Sequence, residues 1–175
     1  MRYCSLSSGS KGNCCYVETS TGSFLIDVGM NCSYIENKLN SIEKSSKNIN
    51  AVFITHTHVD HIKGLKVFVN KYGTKVYFTD KMHKELSFVE NFEYIIDNKI
   101  YFKEMVINVI KTSHDSNDSL GYVIEGDNKS VVYITDTGYI NSKYFDLLKN
   151  RNVYIMESNH DIEMLMHGPY PDWLK

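Results

Sequence analysis

The segment THTHVDH at residues 55–61 constrains this chain more than any other feature of its sequence. It follows the apolar run 51–54 (AVFI), which is typical of a buried strand, and it precedes an amphipathic helical pattern that begins at Ile62. The polar segment is therefore predicted at a strand-to-helix junction, where α/β proteins commonly place their functional groups. Three imidazoles and a carboxylate are costly to bury without partners, so the segment also predicts a site.

The spacing within this segment indicates metal ligands. In an extended segment, His56 and His58 project to the same side and can bind one cation together. Asp60 and His61 follow one turn later and can face a second cation nearby. Imidazole and carboxylate groups suit zinc, manganese or iron, and this mixed set does not choose among these metals.

Short apolar runs rich in Val, Ile, Tyr and Phe recur along the chain and alternate with helical patterns. Strands are predicted at 2–6, 15–18, 23–28, 51–55, 75–79, 105–111, 121–125, 130–135 and 152–156. Helices are predicted around 35–42, 62–69, 82–89 and 142–149, with a further helix beginning near Asp161. A hairpin turn is predicted at 126–128 (GDN). These elements predict one α/β domain over 1–175, with helices covering its sheets.

Composition excludes several classes of protein. A length of 175 residues suits one domain. No apolar run approaches the roughly 18 residues of a membrane span, and the opening residues lack a secretory apolar region, so no membrane partner is expected. The net charge of −2 gives no overall basic signal for nucleic acid. The four cysteines form no C-x-x-C pattern, and they predict reduced thiols in a cytoplasmic protein.

Three further polar motifs follow strand-like runs along the chain: 25–29 (LIDVG), 112–115 (TSHD) and 134–138 (ITDTG). Together with the H-x-H-x-D-H pattern at 56–61, they resemble the ordered motifs of the metallo-β-lactamase superfamily. The resemblance covers almost the whole chain. It implies the metallo-β-lactamase fold, an αβ/βα sandwich.

The resemblance also implies a centre of two divalent metal ions, zinc or manganese, with a role for each motif residue. The first metal would be held by His56, His58 and His114, and the second by Asp60 and His61, with Asp136 bridging both. Asp27 would accept a hydrogen bond that orients the histidine segment.

Shorter motifs narrow the resemblance to one branch of the superfamily. The segments 8–13 (SGSKGN), 134–139 (ITDTGY) and 157–161 (ESNHD) are similar to the YycJ/WalJ-type proteins. That branch implies a cytoplasmic metal-dependent nuclease, a 5'-to-3' exonuclease on double-stranded DNA, with a hydroxide between two metals as the nucleophile. Asp60 would orient or deprotonate the attacking water, and His160 is a candidate donor of a proton to the leaving oxygen.

Candidate substrate-binding residues lie near these motifs. The glycine-containing loop 9–13 could cradle an anion, with Ser10 and Asn13 as its candidate contacts, although a plain tight turn explains the loop as well. Lys63 opens a series of six lysines between residues 63 and 84. This series could meet a phosphate backbone, or it could form an ordinary solvated surface.

The family's fifth-motif histidine has no counterpart before Lys175, because His160 and His167 belong to a different segment. The sequence therefore predicts a truncated member, with the C-terminal part of the fold missing and the second metal weakly held. Two alternatives stay open: a thioester or lactone hydrolase of the glyoxalase-II type, which shares the ligand set, and an inactive remnant. The sequence does not specify which metal is bound, whether the substrate is DNA or RNA, or whether cleavage is exonucleolytic or endonucleolytic. It does not specify the oligomeric state either.

Overall fold

Two β-sheets form the frame of the molecule, and the computed structural model describes residues 1–157 of the chain. The first sheet contains, in spatial order, β1 (Arg2–Ser7), β2 (Cys14–Glu18), β3 (Ser23–Ile26), β4 (Ala51–Phe53), β5 (Lys75–Phe78) and β6 (Phe92–Tyr94). The second contains β7 (Lys99–Phe102), β8 (Met105–Lys111), β9 (Leu120–Gly126), β10 (Lys129–Ile134) and β11 (Val153–Met156), also in that spatial order. Strands β3 to β6 pair in parallel, β10 pairs in parallel with β11, and the other pairs are antiparallel.

Helices cover both sheets. The α-helices are α1 (Cys32–Ser41), α2 (Val59–Ile62), α3 (Leu65–Tyr72) and α4 (Phe145–Leu148), and short 3-10 turns occur at Ser46–Asn48, Asp80–Met82 and Ser142–Tyr144. Helices α1 and α3 bury apolar side chains in the main core, whereas Leu147 and Leu148 of α4 pack against a smaller cluster on β8, β9 and β10. The arrangement is the predicted αβ/βα sandwich.

Aromatic rings join the two sheets through the main core. The ring of Phe53 on β4 lies 5.6 Å from Phe102 on β7 and 6.0 Å from Tyr122 on β9, measured between ring centroids. The buried hydroxyl of Tyr122 also donates a hydrogen bond of 2.5 Å to the carbonyl of Ile54, directly after β4. The end of β4, which leads into the histidine segment, is therefore fixed against the opposite sheet.

The nine predicted strands are all present, with ends that shift by at most two residues. The sequence patterns missed β6 and β7, since each is short and carries a charged residue, Glu93 or Lys99. Both strands lie at the edge of a sheet and are only partly buried. An edge strand needs fewer apolar side chains, and its periodic pattern is correspondingly weak.

Two helix predictions need correction. The helix predicted around 62–69 is divided into α2 and α3 at Gly64, whose N–H donates to the Val28 carbonyl across a close backbone approach. The segment 82–89 is not an α-helix: a 3-10 turn is followed by further turns, although Met82, Leu86 and Val89 are buried as predicted. Tight turns can bury the same three side chains that one helical face would bury.

The other local predictions have varied outcomes. The hairpin turn is confirmed, with Asp127 and Asn128 both at positive φ between β9 and β10, as a type I′ turn requires. The helix predicted at 142–149 is a 3-10 turn continued by α4, and the helix predicted near Asp161 lies outside the described residues.

One domain over 1–175 stays a prediction, since the structure describes residues 1–157. Between residues 1 and 157, none of the helices has the length and apolar character needed to span a bilayer.

Candidate metal centre

Loops at one edge of the sandwich bring the predicted site residues together. Asp27 follows β3, the histidine segment 55–61 follows β4, His114 follows β8, and Asp136 follows β10. Because β3 and β4 are parallel, their carboxyl ends meet at the same edge, and the cross-sheet packing brings the ends of β8 and β10 to that edge.

Asp27 holds the histidine segment in place through hydrogen bonds. Its carboxylate is fully buried, and it accepts hydrogen bonds from the N–H of Thr55 at 2.8 Å and from the hydroxyl of Thr55 at 2.7 Å. Nδ1 of His61 lies 2.8 Å from Oδ2 of the same carboxylate. Asp27 adopts a φ of 60°, a left-handed conformation that aspartate tolerates better than most residues. The contacts place Asp27 where it can orient His61.

Thr55 is a site residue that the sequence analysis missed. Its hydroxyl oxygen lies 3.1 Å from Nδ1 of His56 and 3.2 Å from Nδ1 of His61. Since the Thr55 hydroxyl donates to Asp27, its oxygen is left to accept a hydrogen bond from the Nδ1–H of His56. This tautomer leaves a bare lone pair on His56 Nε2. The sequence feature that points to Thr55 is its position between the buried strand and the first histidine.

His56, His58 and His114 form the first ligand set. One nitrogen from each ring lies within 4.8 Å of the others, and Nε2 of His114 is 3.0 Å from Nδ1 of His58. His56 is buried, whereas the other two are partly exposed. Asp115, which the sequence analysis gave no role, places Oδ1 at 3.3 Å from His114 Nδ1 and can orient that ring.

His56, His61 and Asp136 form a second set, which shares His56 with the first. Nε2 of His61 lies 2.9 Å from Asp136 Oδ2 and 3.6 Å from Asp60 Oδ2. The side-chain amide of Asn13 sits between these groups, with Nδ2 at 3.0 Å from His61 Nε2 and 3.3 Å from Asp60 Oδ2. Asp60 is thus at the margin of the set, because its Oδ2 lies farther from His61 Nε2 than Asp136 Oδ2 does, and it accepts a hydrogen bond from Asn13.

Burial and neighbouring charges give His56 and His61 different protonation states. Burial lowers the pKa of His56 to about 3, and the neighbouring rings of His61 and His114 act in the same direction. Burial also opposes the charge of His61, but the Asp27 and Asp136 carboxylates raise its pKa to about 10. The hydrogen bond from His61 in turn lowers the pKa of Asp136. His56 is therefore a neutral imidazole at pH 7, and His61 is a cation between two carboxylates.

These residues fit divalent cations. His56 Nε2 is buried and has no hydrogen-bond partner among residues 1–157, although the rings of His58, His61 and His114 surround it. A buried polar atom without a partner is costly unless something else binds it. Neutral imidazole nitrogens and carboxylate oxygens are the donors that zinc and manganese accept, and such an ion would replace the proton on His61.

A cavity of about 230 Å³ opens beside the second set. Its lining includes Ser10, Asn13, Asp60, Asp136 and Glu157. The loop at residues 8–13 is fixed by hydrogen bonds within itself, including one of 3.0 Å from the Gly9 N–H to Asn13 Oδ1. The structure thus brings two of the three candidate substrate residues, Ser10 and Asn13, to the same cavity as the cluster.

The remaining candidates are not brought into this cavity. Lys63 is exposed at the end of α2 and is not among the described residues that line the cavity. In the lysine series that it opens, Lys71 and Lys75 form ion pairs with Glu36 and Glu93, respectively. His160 and His167 lie outside the described residues.

His83 lies in the lysine-rich segment 63–84 and belongs to neither of the two ligand sets. Its Nδ1 lies 2.9 Å from the hydroxyl of Tyr94 on β6.

An αβ/βα sandwich with clustered histidines and aspartates at its strand ends defines the metallo-β-lactamase class of metal-binding hydrolases. The family model described as "Beta-lactamase superfamily domain" matches residues 23–170, and the chain therefore belongs to that superfamily. In solved structures the fold is close to that of the short form of human tRNase Z, with a TM-score of 0.72, at 17% identity, covering 94% of this chain and 80% of that one.

Two bacterial proteins named as nucleases are more similar to this chain in sequence. Exodeoxyribonuclease WalJ of Streptococcus pneumoniae is 34% identical over 99% of this chain and 68% of its own length. Exodeoxyribonuclease YycJ of Bacillus anthracis is 32% identical over 95% of this chain and 66% of its own length. The chain thus spans about two thirds of the length of the curated relatives that it matches.

Proposed function

We propose that this chain is a metal-dependent nuclease that hydrolyses phosphodiester bonds, acting as a 5'-to-3' exonuclease on double-stranded DNA. The observation that carries the proposal is the pair of ligand sets that share His56 at the sheet edge. It is supported by identity of 32% and 34% to two proteins named exodeoxyribonucleases.

Six side chains are proposed as metal ligands. One ion would be held by His56, His58 and His114, and the other by Asp60 and His61, with Asp136 bridging both. Two divalent ions bound there, zinc or manganese, would supply the Lewis acidity that polarises water and phosphoryl oxygens. Thr55 and Asp27 hold Nδ1 of His56 and His61, respectively, so that Nε2 of both rings faces the site.

The protein's own groups handle the substrate and the proton. Asp60, whose Oδ2 is held by Asn13, is proposed to accept a proton from the attacking water at that oxygen. Ser10 lines the same cavity, and its hydroxyl is proposed to donate a hydrogen bond to a phosphoryl oxygen, with Asn13 shaping the loop. Lys63 is proposed to contact a phosphate farther along the strand. His160 stays the candidate proton donor for the leaving oxygen.

The test compares His58→Ala with His83→Ala, a matched histidine removal outside the cluster. With 5'-phosphorylated duplex DNA and Mn²⁺ or Zn²⁺, we expect His58→Ala to lower the cleavage rate at least ~100-fold and His83→Ala to keep it. Metal content per folded chain, measured alongside, should fall only in His58→Ala. Equal cleavage by His58→Ala and the parent would end the proposal, and so would thioester hydrolysis without DNA cleavage.

The cytoplasm is the proposed compartment. All four cysteines, Cys4, Cys14, Cys15 and Cys32, are free thiols, and burial raises the pKa of Cys14 and Cys15 well above the ordinary thiol value. Free buried thiols suit a reducing compartment.

A further inference from the structure

A second cavity, of about 340 Å³, lies on the His114 side of the cluster. We call it the Tyr139 groove; its walls include Ser113 and His114 after β8, and Tyr139, Asn141, Lys143 and Tyr144 after β10. Its volume is at the lower end of the range for small-molecule sites, about 300–1,000 Å³. The groove therefore has room for a ligand group of limited size next to a proposed metal ligand.

The backbone of the groove is held in place by hydrogen bonds between its two walls. The Gly138 N–H donates to the Ser113 carbonyl at 2.8 Å, and the Ser113 N–H donates to the Thr137 hydroxyl oxygen at 3.3 Å. The Thr137 hydroxyl in turn donates to the Tyr139 carbonyl at 2.8 Å. Tyr139 is thus carried on an anchored loop, and yet 66% of the residue is exposed.

The groove pairs an aromatic face with a positive charge. The ammonium of Lys143 lies 4.8 Å above the ring of Tyr144, and it forms no ion pair with a carboxylate among residues 1–157. Lys111, at the other wall, is instead neutralised by Asp118 at 2.5 Å. An exposed ring that can stack on a base, next to a cation that can contact a phosphate, is the combination by which proteins bind unpaired nucleotides.

We propose that the Tyr139 groove binds the nucleotide next to the scissile phosphate of a DNA strand, with Tyr139 stacked on the base and Lys143 against the phosphate. The inference rests on the proposed nuclease function, because it takes the scissile phosphate to lie at the His/Asp cluster. Tyr139 and Lys143 are then positioning residues for the substrate, and they hold a base that has left its duplex partner.

The test uses the full chain with a duplex that carries 2-aminopurine at its 5' end and phosphorothioate linkages that resist cleavage, in the presence of Mn²⁺. Binding to the parent protein should quench the 2-aminopurine fluorescence. Tyr139→Ala should lose the quench and bind roughly 5- to 100-fold more weakly, whereas Tyr139→Phe should keep both. Lys143→Ala should lower the slope of log affinity against log salt by about 1.

Tyr101→Ala is the matched control, since Tyr101 is 75% exposed on the edge strand β7. If Tyr139→Ala and Lys143→Ala match Tyr101→Ala in quench and affinity, the groove proposal is overturned, whatever the cleavage assay shows. If the quench depends on Tyr139 but His58→Ala cleaves like the parent, the groove is supported as a nucleotide site and the proposed nuclease centre fails.

Discussion

Buried polar contacts at Asp27 hold His61, one of the proposed ligands, and Thr55, which contacts His56. One carboxylate receives two hydrogen bonds from Thr55 and faces Nδ1 of His61, in a place with no exposure to solvent. Removing one partner from such a network leaves the others unsatisfied, so the effect should reach beyond the altered residue.

Asp27→Asn is expected to weaken metal binding without removing a proposed ligand. The amide cannot hold His61 as the carboxylate does, and loss of such an outer contact typically lowers metal affinity 10- to 100-fold. Competition titration against a chelator measures this affinity. Asp97→Asn, at an exposed position, is the control, and equal affinities for the two variants would contradict the proposed role.

Glu36 links two helices on the outer face of the first sheet. Its Oε1 accepts hydrogen bonds from Lys71 Nζ at 2.7 Å, from the Tyr72 hydroxyl at 2.6 Å and from Cys32 Sγ at 3.2 Å. The bonds from Lys71 and Tyr72 lower the pKa of Glu36 to about 2, against an ordinary value of 4.5. Helix α1 is thereby tied to α3 by a carboxylate.

Glu36→Gln should change the pH dependence of stability. Because the folded-state pKa is lowered, Glu36 contributes stability above pH 4.5, and this contribution is lost as the pH falls towards 2. The gap in unfolding free energy between the parent and Glu36→Gln should therefore be widest near pH 7 and narrow below pH 4.5. Urea unfolding across this range measures it. Glu104→Gln, at an exposed position, should show no such narrowing.

The break between α2 and α3 depends on Gly64. A Cβ at this position would lie 2.0 Å from the Met30 carbonyl oxygen, which is backbone and cannot move aside easily. Gly64→Ala should destabilise the protein by about 1–3 kcal/mol through overpacking, seen as a lower urea midpoint. Gly138→Ala places its Cβ 3.8 Å from the nearest contact, the Ser113 oxygen, and should have a smaller effect. A similar loss in both variants would rule out the steric reason.

The sequence predicted best those elements that local patterns specify. Three examples are the buried strand β4, the turn at 127–128 and the H-x-H-x-D-H segment. In each, the residues that cause the structure are neighbours in the sequence. By contrast, β6 and β7 were not predicted because edge strands bury few apolar side chains. The division at Gly64 involves backbone that is distant in sequence, since the Gly64 N–H donates to the Val28 carbonyl and an added Cβ would lie 2.0 Å from the Met30 carbonyl oxygen. The roles of Thr55 and Asn13 depend on distances between loops, which no spacing along the chain reveals.

At the scale of the whole molecule, the candidate metal centre spans both sheets. His56 and His61 follow β4 in the first sheet, whereas His114 and Asp136 follow strands of the second. A bound cation would therefore join the two halves of the sandwich, in addition to the aromatic contacts of the core.

Metal loading should raise the thermal stability of the protein. At a free ion concentration 100-fold above Kd the gain is about 2.7 kcal/mol, which corresponds to roughly 5–11 °C in Tm for a chain of this size. Differential scanning calorimetry with Mn²⁺ or Zn²⁺, and then with excess chelator, measures the shift. His83→Ala should keep the shift and His58→Ala should lose most of it; an equal shift in both would place the ion elsewhere.

The sharing of His56 between the two ligand sets also bears on the order in which two ions would bind. With Nδ1 held at Thr55, the ring has one lone pair on Nε2, and a single ion would occupy it. An ion bound by His58 and His114 would gain His56 as a third imidazole, whereas the other ion would have only His61 and carboxylates as ligands. We therefore expect two ions to bind in sequence, the first tightly and the second more weakly, so that the second titrates at a higher metal concentration.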